Sequence, residues 1–149
     1  MKKLILVIGI ILSTYSSKAF FDFDELKSKD SVTYSFVEEW LGTHYRFGGE
    51  NMGGIDCSAF SREFYATRYN IELPRIAKEQ YSVVTKIKKT ALELGDLVFF
   101  RNHGPSGWHV GVYLFDGYFV HAANKKSGVK ISNLSDAYYV KTYLNGGRI

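Results

Sequence analysis

Gly53-Gly54-Ile55-Asp56-Cys57-Ser58-Ala59-Phe60 is the point at which a glycine-loosened loop gives way to a helical pattern, and the change falls on the one cysteine in 149 residues. Proteins of oxidising compartments pair their cysteines or avoid them, so a single thiol is either hidden in a core or kept for its chemistry. The polar Asp56 and the neighbouring glycines are odd company for a packing thiol and favour the second reading.

Working outward, residues 57–69 are predicted to be a helix, with Phe60, Phe64 and Tyr65 inward and Asn70 ending it. Upstream, residues 42–56 hold five glycines and no period, which means a loop. Before it, residues 31–41 place Val32, Phe36, Val37 and Trp40 at helical spacing behind a serine or aspartate cap. Residues 20–30 read as a short lead-in. Leu73-Pro74-Arg75 breaks the chain ahead of a short helix from Ile76 to about Val83. The second half changes period. Leu97 to Phe100 is a buried strand, residues 101–107 a polar loop, and Trp108 to Phe115 and Tyr118 to Ala122 are strands joined at Asp116-Gly117. Val129 to Ser132 and a segment near Tyr138 to Leu144 are weaker strands. Helices followed by a meander predict an α+β fold with an antiparallel sheet.

Residues 1–19 read as a cleaved signal peptide: Lys2 and Lys3 precede the apolar run Leu4 to Leu12, and Ser17 and Ala19 form a small-x-small site cut after Ala19. The apolar run is about half of the ~20 residues that cross a bilayer, so no permanent membrane anchor is expected. No cysteine follows the cut to carry a lipid. The leader holds three lysines and no acid, so its loss takes the formal charge from +4 to +1. Beyond Lys86, Lys88 and Lys89, read as a solvated turn, there is no basic stripe, and nucleic acid is not an expected partner. Residues 31–149 are enough for one core, without repeats or linkers. Eleven tyrosines and eleven phenylalanines make that core aromatic.

A free thiol, with a pKa of about 8.5, is only a few per cent ionised at neutral pH. A helix N-terminus offers an anion roughly 0.3 to 1 kcal/mol, less than the ~1.36 kcal/mol that one pKa unit requires. An imidazolium partner must therefore supply most of the help. His109 and His121 are placed to do so, subject to the turn between them. A two-residue turn opposes Val112 with His121 and puts the two histidines on opposite faces. A three-residue loop, Phe115-Asp116-Gly117, with Gly117 left-handed and a bulge, opposes Gly111 with His121 and returns His109 to the same face.

Five ordered motifs, Tyr45-Arg-Phe-Gly-Gly through Gly54-Ile-Asp-Cys-Ser-Ala-Phe, Leu73-Pro-Arg, Gly95-Asp-Leu-Val-Phe-Phe, His109-Val-Gly-Val-Tyr and Phe119-Val-His-Ala, resemble the NlpC/P60 cysteine peptidases of bacterial cell walls, most closely the periplasmic murein endopeptidase branch. The resemblance implies a papain-like fold in which a cysteine-bearing helix packs on an antiparallel sheet carrying the histidines. It implies Cys57 as nucleophile, His109 as base and His121 as the group orienting His109, with a thioester acyl-enzyme formed on the way to hydrolysis of stem peptides or cross-links of peptidoglycan. Tyr45 is implied near the oxyanion, with the Cys57 N–H as the other donor. Asp56, Ser58 and Arg75 lie in matching motifs as candidate substrate contacts, although Asp56 equally suits a helix cap. No cofactor is implied, and the protein is expected to be periplasmic and soluble. His44 and His103 read as exposed loop histidines.

Two other classes fit some of these residues. Cys57, His109 and His121 are of types that suit zinc, but without a close ligand pair or an obvious fourth ligand. A catalytically silent wall-binding module is the other.

Overall fold

The computed structural model describes residues 20–101 and 104–149. The leader at residues 1–19 and His103 lie outside the described residues. Among the described residues no helix is long and apolar enough to cross a membrane.

Helix α1 (Phe23–Lys29) begins where Asp22 accepts the Glu25 N–H at 3.0 Å. The segment that reads as a lead-in is thus largely helical; two turns are too short for an apolar period to show. Helix α2 (Ser31–Trp40) follows after Asp30 alone. The Asp30 N–H closes α1 on the Leu26 carbonyl, and its Oδ1 accepts the Thr33 N–H at 2.8 Å to open α2. Phe36, Val37 and Trp40 are buried as expected. Val32, the fourth expected inward residue, is instead 47% exposed, and Thr33 is buried in its place.

The loop after α2 contains a minimal antiparallel pair, β1 (Glu50–Asn51) and β2 (Gly54–Ile55). Helix α3 (Cys57–Tyr69) then runs to Asn70, which closes it in the left-handed conformation at φ 54°. Arg68 of α3 reaches back to Asp30 with two bonds, of 3.0 and 2.6 Å, and ties α3 to the α1–α2 corner. Helix α4 (Ala77–Val83) lies against the start of α3: the buried Gln80 amide donates to the Ser58 and Pro74 carbonyls at 2.9 and 2.8 Å.

Six strands form one antiparallel sheet in the order β3-β8-β4-β5-β6-β7. They are β3 (Thr85–Ile87), β4 (Leu97–Arg101), β5 (Trp108–Tyr113), β6 (Tyr118–Asn124), β7 (Gly128–Asn133) and β8 (Tyr143–Arg148). Two expectations need correction. Lys86 is exposed but sits in edge strand β3, paired with Gly147, rather than in a turn. The segment near Tyr138 to Leu144 is mostly helix α5 (Ala137–Thr142), which leads into β8. Its tyrosines and valine favour strands locally. Packing decides otherwise, because a helix lets Tyr139 seat on Phe100 and Phe119 at ring distances of 5.3 and 4.9 Å.

The larger core lies between the helices and one face of the sheet, where Phe36, Phe60 and Phe64 meet Phe99, Val110, Val112 and Val120. A smaller cluster of Val98, Phe100, Phe119, Leu134 and Tyr139 covers the other face. Burying each such aromatic side chain is worth roughly 1.5–3 kcal/mol.

The β5–β6 hairpin resolves the register. Val112 pairs with Val120 and Tyr113 with Phe119. Tyr118 then serves two residues: its carbonyl accepts the Leu114 N–H, and its N–H donates to the Phe115 carbonyl, each at 2.8 Å. Two residues facing one is a β-bulge, and it produces the offset expected of the three-residue loop. The turn itself differs from that expectation. Asp116 and Gly117 both have positive φ, 49° and 81°, the pattern of a tight two-residue hairpin turn. The extra residue sits in the strand. Continuing the register sets Gly111 beside His121, where a Cβ would come within 2.7 Å of Phe119 Cδ2 and 3.1 Å of His121 Cβ. Gly111→Ala should accordingly cost ~1–3 kcal/mol by overpacking, read as a lower urea midpoint with an unchanged slope. An unchanged midpoint would show that β6 can move aside freely.

Candidate active site

Cys57 is the first residue of α3, and Asp56 holds it there. The Asp56 carboxylate is buried and accepts five bonds: from the Gly48 and Ala59 N–H groups, both at 2.9 Å, from the Ser58 hydroxyl at 3.2 Å, and from two nitrogens of Arg75 at 3.0 and 2.8 Å. Arg75 also bonds Glu50 Oε1 at 3.0 Å and Ser58 Oγ at 3.2 Å. The sequence-derived candidates Asp56, Ser58 and Arg75 are thus brought together, and chiefly bonded to one another. They cap α3 and clamp it to the glycine loop, while all three also line a cleft.

Tyr45 approaches from that loop. Hydrogen bonds from Arg46 N–H to the Ile55 carbonyl and from Ile55 N–H to the His44 carbonyl, at 3.1 and 2.9 Å, fix it alongside the residues leading into Cys57. Partial burial, with the nearby Cys57 and Asp56, pushes its phenol up to about 12. Tyr45 therefore remains a hydrogen-bond donor at neutral pH. His44 is exposed, as expected.

His109 on β5 and His121 on β6 meet across the bulged hairpin, with His109 Nε2 2.6 Å from His121 Nδ1. Both belong to the sheet face of Phe100 and Phe119, whose rings they contact. The helix carrying Cys57 packs on the opposite face. The β5–β6 ladder pairs stop at Val112 and Val120, and next to that end Cys57, His109 and His121 line one cleft of about 1790 Å³. That volume exceeds the ~300–1,000 Å³ of small-molecule pockets and suits a polymer segment. Exposed Phe47, Ile76 and Tyr138 lie along it.

His121 makes a further connection absent from the sequence reading. Its Nε2 lies 3.0 Å from Ser132 Oγ and 3.3 Å from the Tyr139 hydroxyl, and these two oxygens are 3.3 Å apart. Period two in Val129-Lys130-Ile131-Ser132 would have assigned Ser132 and Lys130 to one face, and the pairs Phe119↔Ser132 and His121↔Lys130 make it the face of His121. Tyr139 carried no such signal, because its helix reads as a strand.

The electrostatics differ from the expectation of a sulfur held ionised at rest. Burial pushes the Cys57 thiol up to about 11, although the N–H groups of Val110, Ser58 and Cys57 itself favour the thiolate. Burial lowers His109 to about 4. His121 is held well below the ordinary range by burial and by the charges of His109 and Lys130. At neutral pH burial thus keeps Cys57 a thiol and His109 a neutral imidazole. The zinc alternative fails on geometry, since two ring nitrogens spent on each other at 2.6 Å leave no space for an ion between them. No set of three metal-binding side chains is grouped among the described residues.

Comparison with known proteins bears on the family and the fold. The NlpC/P60 family profile matches residues 42–148. The chain is 44% identical over 120 residues to a probable endopeptidase NlpC homolog of Haemophilus influenzae, covering 80% of this chain and 63% of that protein. It is 40% identical over 125 residues to the murein DD-endopeptidase MepS/murein LD-carboxypeptidase of Escherichia coli, covering 84% of this chain and 64% of that protein. The match thus spans less than two thirds of either relative's length. Among solved structures, the NlpC/P60 domain of the peptidoglycan hydrolase SagA superposes with a TM-score of 0.67 at 26% identity, over 80% of this chain and 97% of that one. By sequence and by fold, this chain belongs to the NlpC/P60 family.

Proposed function

We propose that this chain is a cysteine endopeptidase that hydrolyses amide bonds in the peptide stems or cross-links of peptidoglycan. The observation that carries the proposal is the 2.6 Å contact between His109 and His121, opening with Cys57 into one cleft.

The proton inventory supports a single direction of donation. His121 stays neutral, so its Nδ1 can accept from His109 Nε2–H, while its own Nε2–H donates to Ser132 or Tyr139. His109 then keeps its lone pair on Nδ1, the nitrogen free to take the Cys57 proton. The thiolate attacks the peptide carbonyl, and the oxyanion receives hydrogen bonds from the Cys57 N–H and the Tyr45 hydroxyl. His109 returns its proton to the leaving amine, leaving a thioester on Cys57. Water, deprotonated by His109, attacks the thioester and releases the acid. Asp56, Ser58 and Arg75 hold the nucleophile's wall in place, and their cleft-facing atoms remain candidate substrate contacts. Residues 1–19 are proposed to direct export to the periplasm, where this substrate lies.

Cys57→Ala should abolish release of muropeptides from purified sacculi with an unchanged circular dichroism spectrum. His109→Ala should lose ~10²–10⁴-fold in rate. His121→Ala should retain some activity, and Ser132→Ala should lose less, since Tyr139 can take over its bond to His121. Mass spectrometry of the digest identifies the bond cut, and undiminished release by Cys57→Ala would overturn the mechanism.

The pH profile offers a separate check. As the pH falls through about 4, His109 protonates and can no longer accept the Cys57 proton. As it rises through about 11, the thiol is lost and His109 has no proton to deliver. The acid limb of kcat/KM should accordingly lie near 4; a limb near 6.5 would show that burial does not control His109.

A further inference from the structure

Six basic side chains line the cleft, Arg75, Lys78, Arg101, Lys125, Lys126 and Lys130, and Arg101 lies over the Trp108 ring at 4.6 Å. Near Cys57, the guanidinium of Arg75 is spent on Glu50 and Asp56. Near the histidines, Lys125, Lys126 and Lys130 line the same cleft, and none of the three ammonium groups bonds or pairs with a described residue. Glu50, Asp56 and Asp136 are the carboxylates that line the cleft, and Arg75 holds the first two.

The three lysines stand on a fixed base. Lys130 faces His121 in the β6–β7 ladder. Lys125 and Lys126 occupy the turn between those strands, where Asn124 Oδ1 accepts the Lys126 and Ser127 N–H groups at 3.0 and 3.1 Å. The start of β7 is stitched to the loop after α2 by bonds from Val129 N–H to the Thr43 carbonyl and from Gly42 N–H to the Val129 carbonyl, both at 2.9 Å. Lys125 and Lys126 are exposed and Lys130 half-buried at the rim of the cleft, where like charges repel one another and attract an anion.

The chemistry says where that anion belongs. His109 must deliver a proton to the leaving amine, so the leaving half of the peptide passes along the histidine wall. We propose that Lys125, Lys126 and Lys130 form a carboxylate-binding subsite for the leaving half of the substrate. This rests on the endopeptidase reading and adds to it a requirement for a free acid on one side of the cut. A carboxylate beside Lys130 also screens the ammonium charge that His121 otherwise feels, and so eases formation of the imidazolium on His109.

The test measures binding rather than turnover. Cys57→Ala protein is titrated calorimetrically with the peptidoglycan stem tetrapeptide ending in D-alanine, as the free acid and as the C-terminal carboxamide. For every amide bond within this stem, the terminal carboxylate belongs to the leaving half. The carboxamide should bind about five- to tenfold more weakly, the range of a charge-assisted pair at a partly exposed site. Adding Lys125→Gln, Lys126→Gln and Lys130→Gln together should remove the difference, with circular dichroism confirming the fold. Equal affinities for acid and amide overturn the subsite and leave the endopeptidase reading standing, as does a preference that survives the three substitutions. Binding of neither peptide overturns both.

Discussion

One extra residue in a strand decides how the two buried histidines are placed. Side chains alternate along β5 and β6, so an offset of one position separates His109 and His121 by the thickness of the sheet. The bulge at Leu114 and Phe115 sets that offset, and the 2.6 Å contact between the two rings follows from it. The absence of a side chain on Gly111 lets β6 come close enough for the contact to form. Backbone geometry at the far end of a hairpin thus positions the His109 ring several residues away.

The other wall is fixed by charge. Asp56 is both the cap of α3 and the anchor of Arg75, and it places the first turn of the helix against the glycine loop. A buried carboxylate with five donors is well satisfied, and removing any partner would leave buried charge exposed to an apolar surround. The sulfur and the imidazole thus line one cleft from two independently braced walls. Burial disfavours the charged form of each, and in the proposed mechanism proton transfer creates both charges together, where each offsets the cost of burying the other.

The sequence made most of this arrangement legible, for identifiable reasons. Cys57 to Tyr69 carries a capping aspartate, inward aromatics and a terminal asparagine that agree with one another, and the helix ends where they say. Leu97 to Phe100 is too short and too apolar for anything except a buried strand. The hairpin could be reduced to two registers but not to one, because both satisfy the same Asp-Gly signal and only the ladder distinguishes them. Where packing overrode propensity the pattern misled. Tyr138 and Tyr139 look like strand residues, yet α5 forms because Tyr139 gains Phe100 and Phe119 as neighbours. Gly146 and Gly147 carry no strand signal, yet they lie in β8, which pairs with β3 on one side and β4 on the other. Ser132 and Tyr139 became visible as partners of His121 only once the strands had been paired.

The burial of the sulfur also bears on its reactivity toward oxidants. Peroxides and foreign disulfides attack the thiolate and scarcely touch the protonated form. With Cys57 only 7% exposed and its proton held to about pH 11, the resting protein presents such reagents with a chemically quiet atom. A chain whose single cysteine has no internal partner for a protective bridge thus shields that sulfur by burial instead.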